Sequence, residues 1–232
     1  MLVNASDYVL AAGGLGTAAF ALVDAMKALP GGGVSKFGFS QIVRAVSKLY
    51  LQGAGSQDAH NPLSLAGVLA TLRANWLNGT ALSDQKAIAK TLIKLRLDKA
   101  NAAVLAAATG VDAATLTSVA AKIATGQSLS QQETDVFGRF DLILATLLDE
   151  GYERADQIYR NGAKALAIPI SVLLAFVGGW TVSQLSWGDY LSSNDLWAAL
   201  LTGIVATPLA PISKDLATRI ASAVRAAGFL RK

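Results

Sequence analysis

The chain of 232 residues is 53% hydrophobic and 16% charged, with a formal net charge of +4 and a mean hydropathy of +0.42. Soluble domains average about 25% charged residues, so the deficit means an unusually large core or a surface that faces lipid. Disorder is excluded by the hydrophobicity. The absence of Cys and the single His exclude disulfides, zinc and iron–sulfur centres, cysteine nucleophiles and most histidine-based catalysis.

In chain order, the first uncharged run is Tyr8 to Val23, 16 residues rich in Gly and Ala. It spans a bilayer only marginally, and without a basic stretch ahead of it reads as a retained anchor rather than a signal peptide. Gly14, Gly16 and Ala19 spell the dinucleotide fingerprint by letter, but no second strand and ribose acid follow. Ala12/Gly16, Gly13/Thr17 and Gly14/Ala18 instead put small residues four apart, which lets a second helix approach closely. Pro30-Gly31-Gly32-Gly33 then breaks the chain.

Between Lys27 and Lys164 the composition is that of a soluble helical domain. Helices are expected over 38–51, 62–76, from Ser83 as a cap, from Asp98 to Gly110 and from Asp112 to Gly126. No alternating strand pattern competes with them. His60 lies in the polar loop Gln57–Pro62 and reads as solvated or capping.

Ser130-Gln131-Gln132-Glu133 is a capping box. The helix it opens is expected to run to about Leu185 with a bend near Pro169, its first part, 131–164, serving as a stalk. Asp135/Arg139, Glu150/Arg154 and Asp156/Arg160 are acid-to-base pairs at i, i+4. They make the acids Asp149, Glu150, Glu153 and Asp156 an ion-paired face rather than a cation site. The apolar seam holds Phe137, Phe140, Leu144, Leu147, Gly151, Ala155, Ile158 and Gly162. It packs against the domain's own helices, or, at Gly151 and Gly162, against a second stalk.

From Ala165 to Gly188 run 24 residues without a charge, long enough to span a core of roughly 30 Å. Leu196 to Ile212, 17 residues ending in Pro208 and Pro211, is expected to return as the second arm of a hairpin, with a re-entrant loop as the competing reading. The tail 213–232 reads as a separate basic amphipathic helix.

Basic residues fix the orientation. Arg160 and Lys164 precede the hairpin, while Lys214 and Arg219 follow it; Lys27, Lys36 and Arg44 follow the first run. The N-terminus is therefore expected outside, and the middle domain and C-terminus in the cytoplasm. Trp180, Trp187, Tyr190 and Trp197 cluster at the proposed outer turn, at headgroup level. The positive charge belongs to this bias, so no nucleic-acid partner is inferred. Asn78-Gly79-Thr80 matches a glycosylation sequon that this side of the membrane would leave unused. No Asp, Glu, His or Lys relay lies within the runs.

Gly151-Tyr152-Glu153-Arg154-Ala155-Asp156-Gln157-Ile158-Tyr159-Arg160 ahead of a hairpin, with Leu29-Pro30-Gly31-Gly32-Gly33 after an anchor, resembles a group of uncharacterised bacterial inner-membrane proteins. The resemblance covers mainly the last hundred residues and implies location and topology, with no activity. The fold expected is all-α: about three transmembrane helices (anchor 1–29, hairpin 165–212) and a small cytoplasmic helical domain (30–130). The function expected is a non-enzymatic inner-membrane scaffold or anchor, with the bilayer, further copies of itself and a protein of a larger assembly as partners. It needs no catalytic residue, cofactor or metal. The alternative is a homo-oligomeric channel or pore-forming effector lined by polar residues of the first two spans.

Overall fold

In a computed structural model of the protein, residues 5–29, 31–50 and 61–229 are described, with side chains for 8–29, 31–50 and 61–212. Every regular element among them is helical: α1 Ala5–Ala25, α2 Ser35–Ser47, α3 Leu65–Leu77, α4 Leu82–Leu95, α5 Ala102–Thr109, α6 Ala113–Thr125, α7 Gln131–Ser183, α8 Trp187–Leu191 and α9 Asn194–Phe229, with a 3-10 turn at Met26–Ala28. His60, the loop 52–60 and the side chains of Lys214 and Arg219 lie outside what is described.

The contacts divide the chain into two units, residues 35–159 and residues 1–34 with 160–232, and α7 contributes to both. Among the described residues three segments are long and apolar enough to cross a membrane: Tyr8–Ala28, a stretch of α7, and Asn194–Ile212.

The unit 35–159 buries large side chains. Ile42, Leu72, Ile93, Leu105, Leu116, Phe140, Leu144, Leu148 and Tyr152 are all sealed in one core. Local chemistry sets its helix ends. Ser64 Oγ accepts from the Gly67 amide at 3.1 Å and Asp112 Oδ2 from that of Thr115 at 2.7 Å. Gly110 and Gly126 close α5 and α6 in the left-handed conformation, each at φ 68°, which a residue without Cβ takes at least cost. The capping box forms as expected, with Ser130 N–H donating to Glu133 Oε2 at 2.7 Å and Glu133 N–H to Ser130 Oγ at 3.3 Å.

Two caps fall elsewhere. Ser83 lies inside α4, which starts after Ala81 and has no side-chain cap; Gln85 Nε2 instead donates back to Thr80 O at 2.6 Å. Asp98 Oδ1 caps a preceding turn, accepting from the Ala100 and Asn101 amides at 2.8 Å each, and α5 begins only at Ala102.

In the other unit, α7 runs through Pro169 to Ser183, and α9 continues through Pro208 and Pro211 to Phe229. The tail is therefore not a separate helix. Each proline removes one amide donor from the ladder, a loss a long helix tolerates when its neighbours hold it. The hydrogen-bonded and close contacts below pair α7 with α9 as an antiparallel hairpin, and α1 lies along α9 in the parallel sense.

Candidate functional site: helix seams and the apolar surface

The closest approach is at Gly16. A Cβ there would overlap the carbonyl of Ala206 and stand 3.1 Å from the Thr207 amide nitrogen, so α1 and α9 touch backbone to backbone. Ala12, Gly13 and Ala19 lie on the same buried face. Tyr8 and Thr202 share a hydroxyl hydrogen bond of 3.2 Å at the other end. Gly14 is a correction to the expected small-residue face: it is exposed, with nothing within 4 Å of where a Cβ would be, because two residues along a helix turn the side chain by about 200°.

The α7–α9 seam repeats the pattern. A Cβ on Gly203 would stand 2.5 Å from Val172 Cα, and one on Gly179 2.8 Å from Ala199 Cβ. Ser171, fully buried, donates to Gly203 O at 2.8 Å and lies 3.2 Å from the Thr207 hydroxyl. Ser171 thus ties α7 to α9 through a carbonyl and a hydroxyl of the facing helix.

The outward face of these helices carries the large apolar residues: Val182 is 82% exposed, Trp197 65%, Leu173 63% and Leu201 61%. Trp180 and Trp187 are exposed and meet edge to face at 4.8 Å between ring centres. Tyr190, expected beside them at the interface, is instead fully buried. Its hydroxyl donates to Phe176 O at 3.1 Å, and it fills the space over Gly179, so it closes the turn from within. The turn also holds Gln184 at φ 54°, a left-handed conformation rare for a residue with a Cβ. Arg160 and Lys164, the basic residues expected at the membrane interface ahead of the hairpin, are exposed on α7.

On α7 within the unit 35–159, the seam is occupied by the chain's own helices. Phe140, Leu144 and Ala155 are buried, Phe137 and Leu147 partly so. A Cβ on Gly151 would stand 2.6 Å from Ala45 Cβ, and Gly38 lets α2 meet the Ala155 carbonyl and the Trp76 ring. Trp76 donates to Ser35 O at 3.1 Å and packs edge-on to Tyr159. The sequence missed Leu148 and Tyr152, both sealed, and placed Ile158 inside, where it is 37% exposed. In the other unit Gly162 admits Val34, with 2.6 Å between its would-be Cβ and Val34 Cγ1.

The charges of α7 answer a lysine stripe on α4. Lys86 reaches Asp149 at 3.1 Å and Glu153 at 2.7 Å; Lys90 and Lys94 reach Asp141 at 2.6 and 3.0 Å. Burial pushes the Asp141 carboxyl up, but the two lysines together outweigh it and hold it below its ordinary value. The hydrogen bond from Lys86 to Glu153 raises the ammonium's pKa. Of the expected local pairs, Glu150–Arg154 forms at 2.8 Å, whereas Asp135 accepts from Gln131 at 3.0 Å instead of pairing with Arg139. Glu133 takes Lys122 at 2.7 Å, the Ser130 amide and the Ser118 hydroxyl, and these hold its carboxyl down to about 2.

Comparison with known protein families, with curated proteins and with solved structures finds no match for the chain. Among the described residues no group of His, Cys, Asp and Glu is arranged to hold a metal ion.

Proposed function

We propose that the protein is a membrane-integral anchor of three spans that holds its helical domain on the cytoplasmic face, as a non-enzymatic scaffold for a larger assembly. One observation carries this reading: the helices of the unit containing α1 and α9 bury Gly, Ala and Ser and expose Leu, Val and Trp, the reverse of the unit 35–159. An exposed face of that kind is at home in lipid, where apolar side chains lose nothing by facing outward. Orientation follows from the sequence. Lys27 and Lys36 follow the first span and Arg160 and Lys164 precede the second, so the turn with Asp189 is outside. An anchor is favoured over a pore because the polar residues of the first two spans are already bonded: Ser171 is buried against Gly203 O and the Thr207 hydroxyl of α9, and Thr17 and Thr181 donate to carbonyls of their own helices.

The chain has no cysteine, so single labels are clean. In intact cells, an impermeant maleimide should label Ser192→Cys, and Ala114→Cys only after permeabilisation. Extraction of the protein by alkaline carbonate, or labelling of both sites alike, would overturn the topology. The scaffold role predicts a defined assembly by cross-linking in membranes and native electrophoresis. A monomer without partners in both would refute it.

A further inference from the structure

The basic side chains of the unit 35–159 are used unevenly. Lys86, Lys90, Lys94 and Lys122 each sit against a carboxylate. Arg44, in the last turn of α2, and Lys48, just beyond it, have no carboxylate partner among the described residues. Both line a cleft of about 210 Å³ with Arg154 of α7. Arg44 has a neutral contact, Gln41 Oε1 at 3.4 Å, and among the described residues the one carboxylate lining the cleft, Glu150, is bonded to Arg154. Three cations thus face one acid, which leaves two positive charges uncompensated around a single cavity.

Apart from Gln41 the rest of the lining is apolar, Ala45, Ala108 and Leu147 among it, and the missing side chain of Gly151 lets α2 and α7 close together beneath the charges. We propose that this cleft binds a phosphomonoester carried on a small apolar body. A phosphomonoester bears about −1.5 to −2 charges at neutral pH and three acceptor oxygens, which matches the uncompensated charge where a carboxylate would neutralise half of it. Arg44 and Arg154 offer planar donor pairs to those oxygens, and Lys48 a point charge. The ligand is either a soluble phosphorylated molecule or a lipid whose headgroup ends in a phosphomonoester.

The test is calorimetric titration of the full chain in phosphatidylcholine nanodiscs with phenyl phosphate, with phenylsulfonate as the singly charged analogue of the same shape. A second arm compares the melting of the full chain in nanodiscs of phosphatidylcholine alone and with phosphatidic acid added. Phenyl phosphate should bind about tenfold more tightly than the sulfonate, and Arg44→Gln or Lys48→Gln should each weaken it about tenfold. Arg73→Gln, an exposed change outside the cleft, should not. The proposal holds with a soluble ligand if phenyl phosphate alone responds, and with a lipid ligand if phosphatidic acid raises the melting temperature of wild type and not of the two cleft variants. No response in either arm, equal affinity for phosphate and sulfonate, or equal binding by wild type and by variants that melt normally would overturn it.

Discussion

Gly16 and Gly14 lie two residues apart on one helix and should respond in opposite ways to the same methyl group. In Gly16→Ala the new Cβ meets the carbonyl of Ala206, with the carbonyl carbon 2.6 Å away and the Thr207 nitrogen 3.1 Å away. All three are backbone atoms, so no side chain can yield. Reaching ordinary contact requires α1 and α9 to part by about 1 Å, and a gap of that size forfeits up to about half of each dispersion contact, itself ~0.1–0.2 kcal/mol, along the seam. Summed over a few dozen atom pairs the loss is about 1–3 kcal/mol, the usual scale of overpacking. Gly14→Ala has open space and gains helix propensity, so it should be neutral or stabilising by up to ~1 kcal/mol. The assay is thermal unfolding in mild detergent, where ~2 kcal/mol corresponds to roughly 4–8 °C for a chain of this size. Cross-linking of Tyr8→Cys with Thr202→Cys by a short bifunctional maleimide, whose spacer takes the place of the tyrosine ring, reads the seam directly, since the native hydroxyls meet there at 3.2 Å. Equal effects of the two alanines, or undiminished cross-linking in the Gly16 variant, would refute the backbone contact.

Glu133 is held to about 2 from an ordinary 4.5, so its stabilisation is fully present above about 4.5 and is lost as pH falls through about 2. The melting difference between wild type and Glu133→Gln should therefore shrink on acidification across that window, and a constant difference would place its cause elsewhere. Asp141→Asn leaves Lys90 and Lys94 without their shared carboxylate and should cost about 1 kcal/mol in urea unfolding; a cycle with Lys90→Met should show coupling of roughly 0.5–1 kcal/mol. Gln184→Gly relieves a left-handed backbone and should raise the melting temperature, by about 1 kcal/mol of stability.

The parts of the fold legible in the sequence are those decided within one turn of chain. The box at Ser130 and Glu133, the cap at Asp112 and the stops at Gly110 and Gly126 all form, since their partners lie three to five residues away. What the sequence misplaced depends on a distant helix. Asp149 and Glu153 read as members of a self-contained acidic face, but both go to Lys86, more than sixty residues back, because α4 lies along α7 in the opposite sense. The buried stripe on α7 steps through Phe140, Leu144, Leu148 and Tyr152, whereas a mean helical period had favoured Leu147 and Ile158. The covering helices follow the i, i+4 ridge, and only their position decides which edge of a broad stripe is covered. The prolines misled for the same reason. Pro208 and Pro211 are breakers by local rule, yet α9 runs through both, beside a close helix at Gly16 and a serine on α7 that bonds its Gly203 carbonyl.

On the membrane reading proposed above, the two units pack for two different solvents. In water, burying a large side chain is favourable in proportion to its apolar area, so the unit 35–159 draws Phe140, Tyr152 and most of its leucines inward and leaves acids such as Asp149 and Glu153 exposed. In lipid that drive is absent, and helices associate through contact and hydrogen bonds alone, which reward the residues that allow backbones to meet. Gly16, Gly179 and Gly203 supply the contact, and Ser171 with Thr207 supplies the bonds. It follows that the two units should answer opposite substitutions. Shortening Leu144 to Ala should loosen the first by about 2–5 kcal/mol, while shortening exposed Leu173 to Ala should leave the helix association of the second intact and weaken only its partition into the bilayer. On the same membrane reading, the exposed leucines and tryptophans serve the contact with lipid, and the small residues opposite them serve the fold.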